Sequence, residues 1–252
     1  MFLNATSLEK LTLVAQDGEM GKIKDLYLDD ENYTIRYLTI ASEKWFPDQI
    51  IYLSPSAISR IDFDKKVIEV NHTREDLREG AGLRNEKEMD PEKEAEFADR
   101  FNWSQYWAGE SVWGEQDTPL NSDSEAAIQQ TAVGTPDRSN HLISVNYMKG
   151  VFSHADVFAG EEHAGYITDV LIEEETWIIR YFVVSTGSWS THAFTLISPD
   201  WIEEANWNDD QIQISLTLEG IEKGPMYQKN KAVTRSFEED LYQSYGKPAY
   251  WK

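Results

Sequence analysis

Gly21 to Thr39 reads GKIKDLYLDDENYTIRYLT, and Gly165 to Val183, 144 positions later (165 − 21), reads GYITDVLIEEETWIIRYFV. Laid over each other without a gap, the two stretches match at Gly21/Gly165, Ile23/Ile167, Asp25/Asp169 and Ile35-Arg36-Tyr37/Ile179-Arg180-Tyr181. The same offset carries Trp45 onto Trp189, Ser54-Pro55 onto Ser198-Pro199, Ile58 onto Ile202, Ile68 onto Ile212 and Gly80 onto Gly224. A self-match of this kind is the signature of a duplicated unit. It divides the 252 residues into two copies of roughly 100 residues each, a size that buries its own core.

Within a copy the pattern is that of short strands. A DG turn at Asp17-Gly18 follows the apolar run LTLVAQ, and residues 22–28 alternate with a slip near Asp25 that suggests a bulge. Tyr33–Ala41 is rich in β-branched and aromatic residues, residues 49–53 make a further strand, and Val67–Asn71 another. Short strands at close spacing with no long helix between them predict a mainly β fold: two small antiparallel barrels in tandem, each followed by a short helical tail. The predicted domains are a first barrel at 1–80, its helical tail at 81–108, a flexible linker at 109–144, a second barrel at 145–224 and a second tail at 225–252. Positions that stay apolar in both copies form the predicted cores: Leu26/Val170, Leu28/Ile172, Ile35/Ile179, Leu38/Phe182, Ile40/Val184, Leu53/Ile197, Ile58/Ile202 and Val70/Ile214. The tails pair as well, Phe97 with Leu241, Phe101 with Tyr245 and Tyr106-Trp107 with Tyr250-Trp251, and the aromatic pair is read as a clasp on its barrel.

Forty-five acidic against 23 basic residues leave a net charge of −22. A field of that sign disfavours nucleic acid and anionic lipid, since both are bound through cationic side chains; it reads as a solvated acidic surface that favours solubility, with an acidic docking face for a basic protein partner as the alternative. There is no cysteine, so thiol and disulfide chemistry is unavailable. No apolar run has the length of a membrane span, and the expectation is a cytoplasmic protein without membrane insertion.

The repeated motifs resemble those of the PRC-barrel family: GKIKDLYLDD with YTIRYLTI in the first copy, GYITDVLIEEE with WIIRYFVV in the second, and a later Ser-Pro in both. The closing Tyr-Gly-x-Pro-x-Tyr-Trp at Tyr245–Trp251 is similar to the tail of free-standing members. The family is named for the cytoplasmic domain of the photosynthetic reaction-centre H subunit and occurs in a ribosome-maturation factor. The resemblance implies a barrel used for docking to proteins rather than for catalysis.

No catalytic motif, phosphate-binding glycine loop or zinc spacing is present, so no enzyme activity and no cofactor are assigned. His154 and His163 are nine apart, and the acidic runs Asp29-Asp30-Glu31 and Glu173-Glu174-Glu175 read as solvated turn acids rather than as a cation site. Six residues are nominated for partner binding. Arg36 and Arg180 are cations inside apolar strands, with Asp25 or Asp169 as the expected internal partner. Trp45 and Trp189 follow those strands, and Trp201 and Trp207 occur in the second copy opposite Ala57 and Phe63. The resulting expectation is a docking module, a pseudo-dimer within one chain that engages a protein partner or a second copy of itself. The alternatives are a small-molecule or ion-binding crevice and a ribosome-associated assembly factor.

Overall fold

The computed structural model describes residues 1–42, 44–84, 89–136, 142–150, 154–186, 193–229 and 231–252, with the side chain of Arg84 excepted. The chain is mainly β and forms two compact units. One comprises Met1, Ala5–Ser144 and Glu173–Ile178; the other comprises Phe2–Asn4, Val145–Ile172 and Ile179–Lys252. No helix among the described residues is long and apolar enough to cross a membrane.

In chain order the first copy contains β1 (Phe2–Asn4), α1 (Ala5–Leu8), β2 (Thr12–Ala15), β3 (Gly18–Asp29), β4 (Ile35–Ser42), β5 (Phe46–Leu53), β6 (Ile58–Asp62), β7 (Val67–Val70), α2 (Arg74–Gly80), β8 (Gly82–Arg84) and α3 (Pro91–Phe101). A short α4 (Glu125–Ile128) follows. The second copy contains β9 (Leu142–Ser144), α5 (Val145–Met148), β10 (Asp156–Ala159), β11 (Glu162–Glu173), β12 (Ile179–Ser185), β13 (Phe194–Ile197), β14 (Ile202–Asn206), β15 (Gln211–Ile214), α6 (Leu218–Lys223) and α7 (Arg235–Ser244).

The first ladder runs β6-β7-β2-β3-β4-β5-β8, with β9 added on β3. The second runs β13-β12-β11-β10-β15-β14, with β1 added on β11. Neither ladder closes on itself among the described residues. Along the two ladders neighbours are antiparallel except β2–β7 and β10–β15, which are parallel, so each sheet is mixed where an all-antiparallel barrel was expected.

The repeated stretch explains itself locally. Gly21 and Gly165 hold φ of +131° and +141°, and each sits beside a bulge where the long strand shifts against its predecessor. At Gly165 an added Cβ would stand 2.0 Å from the Ser185 carbonyl oxygen, so only glycine fits. A second bulge falls between Ile23 and Asp25, and its twin between Ile167 and Asp169, as the slip in the alternation suggested. There the aspartate accepts the next residue's N–H, Asp25 Oδ1 from Leu26 at 2.7 Å and Asp169 Oδ1 from Val170 at 2.9 Å. The repeat-identical acids therefore satisfy amides that the bulges release from the ladder. Ser54 and Ser198 cap the one-turn 3-10 segments that their prolines begin, and Thr73 and Thr217 cap α2 and α6.

Seven of the eight predicted core pairs are buried in both copies. The eighth, Ile58/Ile202, is half-buried in both, because each opens its strand directly after the 3-10 turn, at a further bulge.

Three boundaries differ from the sequence reading. The stretch 81–108 is not helical throughout: α2 already begins at Arg74, and β8 pairs with β5 before α3 starts. Segment 109–144 is not a free linker. Trp113 is buried, Ser122 N donates to the Ser56 carbonyl at 3.0 Å, Leu120 N donates to Ser104 Oγ at 2.8 Å, and β9 completes the edge of β3. The second copy also starts earlier, at β9 rather than Val145. β1-α1 and β9-α5 are equivalent at an offset of 140 (142 − 2), whereas β2 and β10 are equivalent at 144 (156 − 12), so four extra residues separate α5 from β10. The strands that open the copies are exchanged between units, β1 in the second and β9 in the first.

Candidate functional site

Arg36 is, with Asp29, among the most enclosed charges of the described residues in the first unit, with 1% of its surface exposed. Its partner is not Asp25, which is spent on the bulge, but Asp29 at the end of β3: Nε donates to Asp29 Oδ2 at 2.6 Å. Nη1 donates to the Val112 carbonyl at 2.6 Å, and the guanidinium carbon lies 4.1 Å from the ring centre of Tyr106 and 4.8 Å from that of Trp113. Asp29, equally buried, accepts on its other oxygen from the amides of Glu31 and Asn32 at 3.2 and 2.6 Å. It is therefore not a solvated turn acid. Burying an ion pair costs several kcal/mol per ion, and this one persists because both groups are hydrogen-bonded and aromatic faces cover the cation.

Beside it stands a group that the sequence reading passed over. Glu94, on α3, is 5% exposed and accepts from Tyr37 Oη at 3.0 Å and from Tyr106 Oη at 2.6 Å. The second copy repeats the arrangement: Glu238, on α7, accepts from Tyr181 Oη at 2.8 Å and from Tyr250 Oη at 3.0 Å. Strand, helix and closing aromatic are thus tied together twice by one carboxylate. Burial pushes the Glu94 carboxyl up, and burial together with that carboxylate pushes the Tyr37 and Tyr106 hydroxyls well above their usual range. Burial is also the main cause that raises the Tyr250 hydroxyl to about 12. The signal was present, since Glu94 and Glu238 are identical at the offset that pairs Tyr106 with Tyr250.

The other nominated residues separate. Arg180 is half-buried and lies 4.4 Å from the Tyr250 ring centre. Trp201 is a core residue, 2% exposed, packed edge-on to Tyr242 at 5.1 Å and Tyr245 at 5.4 Å, so it offers a partner no surface. In the first copy, where Ala57 stands at this position, Phe97 and Phe101 of α3 pack instead on Trp103. Trp207 is half-buried in the turn between β14 and β15. Trp189 lies outside the described residues.

Trp45 is half-buried at the start of β5, with the Arg74 guanidinium carbon 3.9 Å and Lys44 Nζ 4.3 Å from its ring centre. Arg74 is itself pinned, donating to the Asp17 carbonyl at 2.7 Å and lying 3.3 Å from the Asp17 carboxylate. An indole held this way pays little conformational entropy when a partner covers it. Among the described residues no group of three metal-ligating side chains converges. His154 and His163, nine apart in sequence, both turn Nε2 toward Asp156 Oδ1, at 3.6 and 2.9 Å.

The sites therefore divide into closed networks that fasten the tails and one aromatic edge held open. No curated protein matches the chain in sequence. A sequence model of the PRC-barrel domain matches residues 1–77, the stretch that holds β1 to β7, the bulges at Gly21 and Asp25 and the start of α2. Residues 1–77 accordingly form a PRC-barrel domain.

Proposed function

We propose that the protein is a non-enzymatic cytoplasmic docking module whose contact edge is Trp45 with Lys44 and Arg74. The observation that carries this reading is the contrast among the nominated residues: Arg36 and Trp201 are sealed inside the fold, whereas Trp45 is half-exposed on a pinned cation. Half-exposed, preorganised aromatics beside arginine have the composition of interface hot spots. The net charge of −22 steers basic proteins toward the chain, and at contact range Lys44 and Arg74 favour a carboxylate of the partner beside the indole.

The test compares wild-type protein with Trp45→Ala as bait, after melts establish that the variant is folded. The reading expects a partner retained by wild type at low salt, weakened at high salt and lost with Trp45→Ala. A partner held equally by both baits, or held without any response to salt, would remove the Trp45 edge from consideration.

A further inference from the structure

The segment after the first tail carries a cleft of about 350 Å³, lined by Gln105, Trp113, Glu115, Leu120, Ala126 and Val133 among others. That volume lies at the lower end of the roughly 300–1,000 Å³ typical of ligand pockets. Gln105 is 5% exposed, and its amide is used on one side only. Oε1 accepts the main-chain N–H of Val133 at 2.8 Å, which turns Nε2 outward as a donor, and no hydrogen bond reaches that Nε2 among the described residues. On the other side of the same residue, Trp107 Nε1 donates to the Val133 carbonyl at 2.6 Å. Two side chains thus read the N–H and the C=O of one residue, while the Val133 side chain remains 49% exposed. This is recognition of main chain, indifferent to the side chain it carries.

We infer that this cleft is a peptide-binding groove, partly filled in cis by residues 131–133, and that it takes an extended, neutral or basic segment presenting a small apolar side chain and a carbonyl for Gln105 Nε2. Ala126, Leu120 and the Trp113 edge receive the apolar group, and Glu115 on the rim selects against acidic segments. The chain's own segment lowers the apparent affinity by the fraction of time it lies in place.

The test uses the full chain and a fluorescent heptapeptide with the sequence of residues 129–135, QQTAVGT, together with forms carrying Lys or Glu at the Thr131 position. Val133→Pro deletes the N–H that Gln105 holds, so the variant should bind the peptide about tenfold or more tighter than wild type by fluorescence polarisation. The Lys form should bind more tightly than the Glu form, with the gap closing as salt rises. Adding Gln105→Leu or Trp107→Ala to Val133→Pro should return binding to the wild-type level, whereas adding Trp45→Ala should leave it unchanged, which separates this groove from the docking edge. Should Val133→Pro fail to fold, Val133→Gly keeps the N–H and loosens the segment. A folded Val133→Pro or Val133→Gly chain that binds no tighter than wild type, or binding that survives Gln105→Leu, would overturn the inference.

Discussion

Arg36 and Arg180 occupy the same place in the repeat, on the same strand, before the same tyrosine, yet they live in different surroundings. Arg36 has been taken out of water: a carboxylate, a carbonyl and two aromatic rings enclose it. Arg180 is half-buried with its guanidinium carbon 4.4 Å from the Tyr250 ring centre, and in that copy Glu238 draws the cation of Arg235 at 3.1 Å. What separates them is residues 109–136, which supply Val112 and Trp113 to the first copy. The second copy has taken another route, placing Arg235 at the position where the first copy has Pro91, with its guanidinium 4.0 Å from the Trp251 ring. A duplicated frame can thus keep its Tyr–Glu–Tyr fastening and still rebuild the charge beside it.

The sharpest way to break the comparison is to remove both cations. Arg36→Ala strands the buried Asp29 carboxylate and should cost about 3–5 kcal/mol, whereas Arg180→Ala, at a half-buried and so more hydrated position, should cost less. Denaturant titrations of the full chain read the difference; equal losses would mean that the enclosure of Arg36 has no energetic meaning. The cores should behave alike where the charges do not. Ile35→Ala and Ile179→Ala, at 0% and 1% exposure, should each lower stability by about 2–5 kcal/mol. Melts showing no loss in either variant would contradict the shared core.

Glu94 sharpens the comparison through pH. Its carboxyl is raised by burial above the ordinary 4.5, so the folded state holds that proton more tightly than the unfolded chain does. Stability contributed in this way is present below pH 4.5 and is lost as pH rises from there through the folded value. Glu94→Gln should flatten that part of the stability curve relative to wild type; a variant curve parallel to wild type would mean that the carboxyl titrates normally. The smallest effect is expected at the open edge. Trp45→Ala should change stability by only about 1 kcal/mol, since Trp45 is half-exposed and the cation–π pairs with Lys44 and Arg74 lie at the surface edge. A much larger loss in a thermal melt would make Trp45 a structural residue like Trp201.

The fold was legible because its determinants are local. Gly21, Asp25 and the Ile35-Arg36-Tyr37 strand announce bulge, cap and core through residue type alone, and repetition removed the ambiguity that each short motif carries singly. What was not legible depends on pairing across long separations. Asp29 rather than Asp25 meets Arg36 because the bulge consumes Asp25, a competition visible only once the register is known. Trp201 reads as a surface oddity until the helix that covers it is placed. The composition of 109–136 is that of a linker, and only Trp113 hints that it packs. Glu94 and Glu238 were within reach of the repeat argument, since two identical acids at matched tail positions carry the same information as two identical tyrosines.

The exchange of β1 and β9 bears on how the protein is made and handled. Phe2–Asn4 are synthesised long before β11, the strand they join, so these residues must wait for the second unit before they find their ladder. A change at Phe2 would accordingly be felt at Tyr181, whose ring it meets at 5.7 Å, in the second unit rather than among the strands that follow it in sequence.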